Sequence, residues 1–242
     1  WQLSNTSVRS PFRLKDGLNA LSNSNIEGKI RKSTGDIAFR DLLGKSGVVN
    51  LGEDSTNSVG RKWRAALSKL GFLYPEVKST SAYTQRDLGK VDTITPLGWA
   101  LINSDTVPAI QECFLRSMIS HTASVHISDG AIKYFSPLKW VLKILVQLKE
   151  IGQEPVLTFF EIAAIVQVTT PNEDISVVLN QILDLRTSRS MAENKRKFDR
   201  EILESKAEKI SKKWRTFIDY ADMNIRYLKA TGLVSSKGKG IT

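Results

Sequence analysis

Four Glu-x-Lys triplets are the residues of this 242-residue chain best typed for hydrolytic chemistry. Metal-assisted phosphodiester cleavage commonly uses an aspartate followed by a (D/E)xK triplet on adjacent strands, where the acids hold Mg²⁺ and the bound ion activates water. The triplets are Glu27-Gly28-Lys29, Glu76-Val77-Lys78, Glu193-Asn194-Lys195 and Glu204-Ser205-Lys206. The last two fall on a charged helical stretch, where residues two apart point to different faces. The first lies in a loop with glycine at its centre. Only Glu76 reads as a strand residue, and the acids upstream of it, Glu53 and Asp54, sit in a polar loop. Such triplets arise by chance in a Lys/Glu-rich chain, so the sequence assigns no catalytic residue. His121 and His126 lie downstream of Cys113 in an irregular stretch. That spacing does not make a zinc site, which needs closer ligands and a fourth group, so the two histidines read as ordinary surface or interface residues. No phosphate-cradling loop or nucleophile-elbow motif is present.

The cations are more informative than the acids. The net charge is +10, and it is unevenly placed. Residues 1–100 carry 15 Lys/Arg against 9 Asp/Glu, residues 101–180 carry 5 against 8, and residues 181–242 carry 15 against 8. Two basic regions therefore flank an acidic one, a pattern that suits an anionic partner such as nucleic acid. Apolar residues make up 41% of the chain, enough for a globular core. The single cysteine excludes an internal disulfide framework and suits a reducing compartment. No apolar run approaches the roughly 20 residues that cross a bilayer, and no signal peptide is visible. The chain starts at Trp1 and stops within a ribbon-like stretch, so it reads as a fragment of something longer.

The elements that must position these cations occur as a pattern repeated 161 residues apart. A basic amphipathic helix runs into a glycine, an apolar pair and a short two-strand ribbon. The first copy is Arg61-Lys62-Trp63-Arg64-Ala65-Ala66-Leu67-Ser68-Lys69-Leu70-Gly71-Phe72-Leu73, and the second is Ile225-Arg226-Tyr227-Leu228-Lys229-Ala230-Thr231-Gly232-Leu233-Val234. In the first helix, predicted over residues 55–71, Val59, Trp63, Ala66, Leu67 and Leu70 share an arc of about 100°. Arg61, Lys62, Arg64 and Lys69 fall outside it. Strands are predicted over Phe72 to Val77 and Val91 to Thr95, with Thr95 then capping a helix that begins at Pro96. A helix that closes on glycine and returns as a ribbon is the plan of a winged helix.

Elsewhere, helical spacing appears over Lys15 to Leu21 and over Asp36 to Leu43, the latter with Gly44 as its C-cap. Residues 106–119 read as a helix, and Ser120 to Tyr134 as irregular. Ser136-Pro137 opens a helix with a core face of Leu138, Val141, Leu142, Leu145 and Leu148, ended by Gly152. Capping boxes at Thr158–Glu161 and Thr170–Glu173 start a short helix to about Val168 and a longer one to about Thr187. These make a helix-turn-helix core. Residues 188–215 are charged and poor in apolar positions, and read as a solvated helix or a connection. The fold class is therefore mainly α with short β-ribbons, in two tandem winged-helix (helix-turn-helix) subdomains. The first spans residues 1–104, including an N-terminal arm, and the second spans residues 105–242.

Several segments make the chain resemble the DNA-recognition region of AlwI-type type IIS restriction endonucleases and related nicking endonucleases. In the first half they are Ser7-Val8-Arg9-Ser10-Pro11, Ile26-Glu27-Gly28, Leu70-Gly71-Phe72 and Ile94-Thr95-Pro96-Leu97-Gly98. In the second half they are Ser136-Pro137-Leu138 and Arg226-Tyr227-Leu228-Lys229-Ala230-Thr231-Gly232-Leu233. The resemblance implies two winged-helix subdomains that read the site and a separate Mg²⁺-dependent nuclease domain of the PD-(D/E)xK type, which has no counterpart in this sequence. It also implies a prokaryotic, cytoplasmic protein. No cofactor is expected in this part of it.

The expected partner is double-stranded DNA at a short asymmetric site, bound by a monomer. Arg61 and Arg64 are the expected base readers, since arginine pairs bidentately with guanine, and Lys62 beside them is an expected DNA contact. The arm cations Arg9 and Arg13, with Arg31, Lys32, Lys69, Arg86 and Lys90, are expected DNA contacts of the first subdomain. Lys212, Lys213, Arg215, Arg226, Lys229, Lys237 and Lys239 are those of the second. Two other classes fit less of the sequence: a tandem winged-helix transcription regulator or replication initiator, and a module that binds an acidic protein through residues 188–215.

Overall fold

The glycine that ends each basic helix has the left-handed backbone that the sequence pattern requires, with φ of 76° at Gly71 and 73° at Gly232. In each case its N–H donates to the carbonyl three residues back, Ser68 at 3.0 Å and Lys229 at 3.1 Å. The computed structural model describes residues 1–4, 8–52, 58–78, 81–126, 132–208 and 213–242, with the side chains of Val125 and His126 left aside. It is mainly helical with two small antiparallel sheets. Its contacts divide the chain into two compact units, Ser4–Ser117 and Trp1–Leu3 with Met118–Thr242.

In the unit Ser4–Ser117, α1 (Arg13–Ser22) buries Leu14, Leu18 and Leu21, the face its spacing predicts. Next come α2 (Lys32–Lys45) and α3 (Ser58–Lys69). The start of the predicted 55–71 helix lies outside the described residues. α2 and α3 pack closely because Gly60 has no side chain; a Cβ there would stand 2.0 Å from the Asp36 carbonyl oxygen. α2 runs past Gly44, and the left-handed residue beyond its end is Gly47, whose N–H bonds to the Gly44 carbonyl. Gly44 is therefore helical, and the C-cap falls at Ser46.

The predicted strands after α3 pair over a shorter length than expected. Thr95 N–H reaches Phe72 O at 3.1 Å, Tyr74 N–H reaches Thr93 O at 2.9 Å, and Asp92 N–H returns to Tyr74 O at 2.9 Å. Between them lies a helical turn, α4 (Gln85–Leu88), opened by a Thr84–Asp87 capping box. Gln85 ties this excursion together: it accepts from Val77 N–H and donates to the carbonyls of Pro75 and Gly89. The segment before α2 joins the same ribbon, with Gly28 N–H on Asp92 O at 3.2 Å and Ile94 N–H on Glu27 Oε1 at 2.9 Å. α5 (Pro96–Ile102) follows, capped by the Thr95 hydroxyl, and then α6 (Val107–Ser120). The buried Phe114 ring makes edge contacts with buried Phe72 and with Phe12 at the surface.

In the second unit a hairpin of β1 (Ala123–His126) and β2 (Ile132–Phe135) replaces the irregular stretch read from sequence. Ile132, Lys133 and Tyr134 are all exposed, so no alternating apolar pattern betrays these strands. α7 (Pro137–Glu150) buries Leu138, Val141, Leu145 and Leu148 as expected, but Ile144 and Trp140 complete the face in place of Leu142. α8 (Phe159–Ala164) has the full Thr158–Glu161 capping box, and a 3-10 turn follows at Val166–Val168. α9 (Ile175–Met191) starts at Asp174 rather than Thr170, because the Asp174 carboxylate takes the Ser176 N–H; Glu173 only reaches back to Thr170 N–H. The charged stretch 188–215 is not one solvated helix. α9 ends at Met191, and α10 (Lys195–Glu208) is a separate helix that packs on α8 and α11 (Trp214–Ala230), with Leu203 and Ala207 buried. β3 (Ser236–Lys237) and β4 (Gly240–Ile241) form the second ribbon. Ile241 pairs with Leu157, the residue just before the α8 cap.

The two units thus share one wiring. A helix precedes a segment that pairs with the returning ribbon strand, a second helix follows, and a glycine-closed helix leads into the ribbon. In the unit Ser4–Ser117 these helices are α1, α2 and α3. In the other they are α7, α8 and α11, with α9 and α10 inserted before the last.

Candidate nucleic-acid interface

On α3, Trp63, Ala66 and Leu67 are buried, and this leaves Arg61 exposed with Lys62 half-buried. Neither side chain forms an ion pair among the described residues. Arg64, one turn on, is tied down: its Nε and Nη2 both donate to Asp36 Oδ1 at 3.3 and 3.2 Å, across the contact that Gly60 permits. Lys69 is exposed at the C-terminal end of the helix. The arm cations lie beside the start of α3. Arg9 and Arg13 line a concavity of about 320 Å³ with Val59, Trp63 and Asn50, and Arg13 donates to the Gly47 carbonyl at 3.1 Å.

Around the first ribbon the cations split into committed and uncommitted ones. Arg31 is committed: Asp92 and Glu76 both bind it, and the Asp92 carboxylate holds its proton more firmly than usual. Lys32, Arg86 and Lys90 are exposed and form no ion pair among the described residues. Arg86 projects from α4, the turn that Gln85 and the Asp87 cap make rigid.

In the second unit three candidates have polar partners. Arg226 pairs with Asp222 at 2.9 Å, Lys229 donates to Ser236 Oγ at 3.0 Å, and Lys237 reaches Glu154 at 3.0 Å. Lys239 is exposed beside Gly238, at the ribbon turn, with no ion pair among the described residues. Lys212 lies outside the described residues. Lys213 and Arg215 line an open concavity of about 440 Å³, where Arg200 and Arg215 both lie over the Trp214 ring at 5.7 and 5.6 Å. The sequence had not joined Arg200 to this group, because it sits on α10, which a reading of 188–215 as solvated leaves unplaced.

The acids do not assemble a metal centre among the described residues. Glu76 and Asp92 come closest to a cleavage pattern, but both close on the Arg31 guanidinium, and Glu27 is spent on Ile94 N–H. Glu204 pairs with Arg200 along one helix face. These residues do not fit a Mg²⁺ ion. His121 is buried, not a surface residue, and Cys113 lies 3.6 Å from Ser104 Oγ.

The family model of the AlwI restriction endonuclease matches residues 68–242. The chain belongs to the AlwI restriction endonuclease family. No curated protein matches it. The AlwI-family match begins within α3 and takes in the whole second helix-glycine-ribbon copy, and membership implies binding to DNA. No described helix is long and apolar enough to cross a membrane.

Proposed function

We propose that this chain is the DNA-recognition part of a type IIS-like restriction or nicking endonuclease: two winged-helix units that together read a short asymmetric duplex site as a monomer. Cleavage then belongs to a separate Mg²⁺-dependent nuclease domain, in the cytoplasm of a prokaryote. The observation that carries this reading is the shared wiring of the two units, each with a glycine-closed helix that leads into a ribbon braced by the segment before its second helix. A winged helix places such a helix in the major groove and its ribbon against the adjacent backbone.

The two copies have unequal roles in this proposal. On α3, Arg61 is uncommitted and Arg64 is pre-oriented by Asp36, the arrangement that bidentate reading of guanine favours. Lys62 stands beside them. Arg9, Arg13, Lys32, Lys69, Arg86 and Lys90 contact phosphates around that helix. On α11 the exposed face mixes Arg226 with Asp219 and Asp222, so that unit acts as a clamp, with Lys213, Arg215, Lys229, Lys237, Lys239 and the adjoining Lys212 on the backbone.

Binding to duplex over a salt series tests the electrostatic part. If about six phosphates are neutralised, the log–log slope is about −5. A flat salt dependence would remove the groove-binding mechanism.

A further inference from the structure

The Arg31 guanidinium is locked on one edge and lightly covered on the other. Its Nε and Nη2 donate to the two carboxylate oxygens of Asp92 at 2.8 and 2.9 Å, and Asp92 is fully buried. The remaining donor, Nη1, meets Glu76 Oε2 at 2.5 Å, and the Glu76 side chain is 63% exposed. These contacts differ greatly in strength. A buried carboxylate that lost its cation would be stranded without water, so Asp92 keeps its hold. An exposed ion pair competes with water at little net gain, so Glu76 is readily displaced.

The surroundings favour an anion over Glu76. Lys32, the next residue, is exposed, and Lys90 approaches the same loop: a Cβ on Gly28 would stand 3.5 Å from its Nζ. Neither forms an ion pair among the described residues. Of the other acids here, Glu27 is occupied by Ile94 N–H, and Asp36, which also acts on Arg31 through space, is held by Arg64.

We propose that Arg31 is a phosphate-binding site that Glu76 covers in the free protein and a DNA backbone phosphate uncovers. The phosphate takes the place of the Glu76 carboxylate at Nη1, while Asp92 keeps the guanidinium in plane. A guanidinium edge suits phosphate oxygens better than a lysine does. The proposal rests on the DNA-binding reading above and adds one phosphate contact and its internal competitor.

The test uses the full chain and a random-sequence duplex over a salt series. Glu76→Gln keeps the shape of the side chain and removes the competing charge. It is expected to bind about two- to fivefold tighter, the equivalent of one exposed ion pair, with a salt slope steeper by up to about one. Glu112→Gln removes an exposed acid elsewhere in the same unit, one paired with Arg116, and is expected to stay close to wild type. Glu76→Gln binding that is unchanged or weaker, or an equal gain in Glu112→Gln, overturns the proposal while wild-type binding stands. Failure of the wild-type chain to bind any duplex overturns the DNA-binding reading and this proposal with it.

Discussion

Leu157 and Ile241 exchange both of their backbone hydrogen bonds, at 2.8 and 2.9 Å, and so fasten the last strand of the chain to the residue before α8. Next to this pair Gly240 is buried, and a Cβ there would stand 2.1 Å from the Leu157 carbonyl oxygen. Gly240→Ala is therefore expected to force the strands apart and destabilise the second unit by about 1–3 kcal/mol. Chemical denaturation followed by tryptophan fluorescence checks this; an unchanged midpoint would mean the ribbon is not braced in this way.

Arg61 and Arg64 are one turn apart and should fail differently. Arg61→Ala leaves the fold intact and is expected to cost about 1–3 kcal/mol in binding to the specific site. Arg64→Ala also strands Asp36, whose side chain is 16% exposed, and should lower stability by about 1–3 kcal/mol. Thermal melts beside binding titrations separate the two; a stability loss confined to Arg61→Ala would reverse the assignment.

Asn224 is fully buried and joins three segments: its Oδ1 accepts Leu3 N–H at 3.0 Å and its Nδ2 donates to Gln167 Oε1 at 3.3 Å. Asn224→Ala leaves these buried groups without that partner, at a cost of about 1–3 kcal/mol. Amide exchange at Leu3 should accelerate with it. Unaltered protection at Leu3 would show that the N-terminal residues are held by other contacts.

The Thr84–Asp87 cap gives a pH signature to the first ribbon. Hydrogen bonds from the Thr84 N–H and hydroxyl hold the Asp87 carboxyl below its usual value. A depressed carboxyl contributes its stability above the unfolded value of about 3.9 and loses it as pH falls through the folded value. Acidification through that range should release the cap, seen as a loss of Thr84 amide protection relative to the intrinsic exchange rate, and Asp87→Asn should show the same loss at neutral pH. Thr84 protection that stays constant across that range would contradict this.

Local features were legible in the sequence and long-range partners were not. Leu14, Leu18 and Leu21, the caps at Thr95 and Thr158, and the left-handed glycines at 71 and 232 follow from spacing and backbone chemistry within a few residues. Gly44 misled because a glycine can sit inside a helix when another, Gly47, supplies the left-handed turn. The hairpin of β1 and β2 escaped because Ile132, Lys133 and Tyr134 are all exposed and leave no alternating pattern, and α10 because only Leu203 and Ala207 mark its buried side. The same limit applies to the interface. Arg31, Arg61 and Arg64 look alike in sequence, yet Asp36 lies 28 residues from Arg64 and Asp92 lies 61 from Arg31. Only the folded chain distinguishes held cations from open ones.

The most direct measurement is a selection of bound duplexes from a random pool by the full chain. The expected result is one enriched asymmetric site of a few base pairs, bound by a monomer, with the enrichment lost in Arg61→Ala. A palindromic site bound by a dimer, or no enrichment at any salt concentration, would contradict recognition by two unequal units.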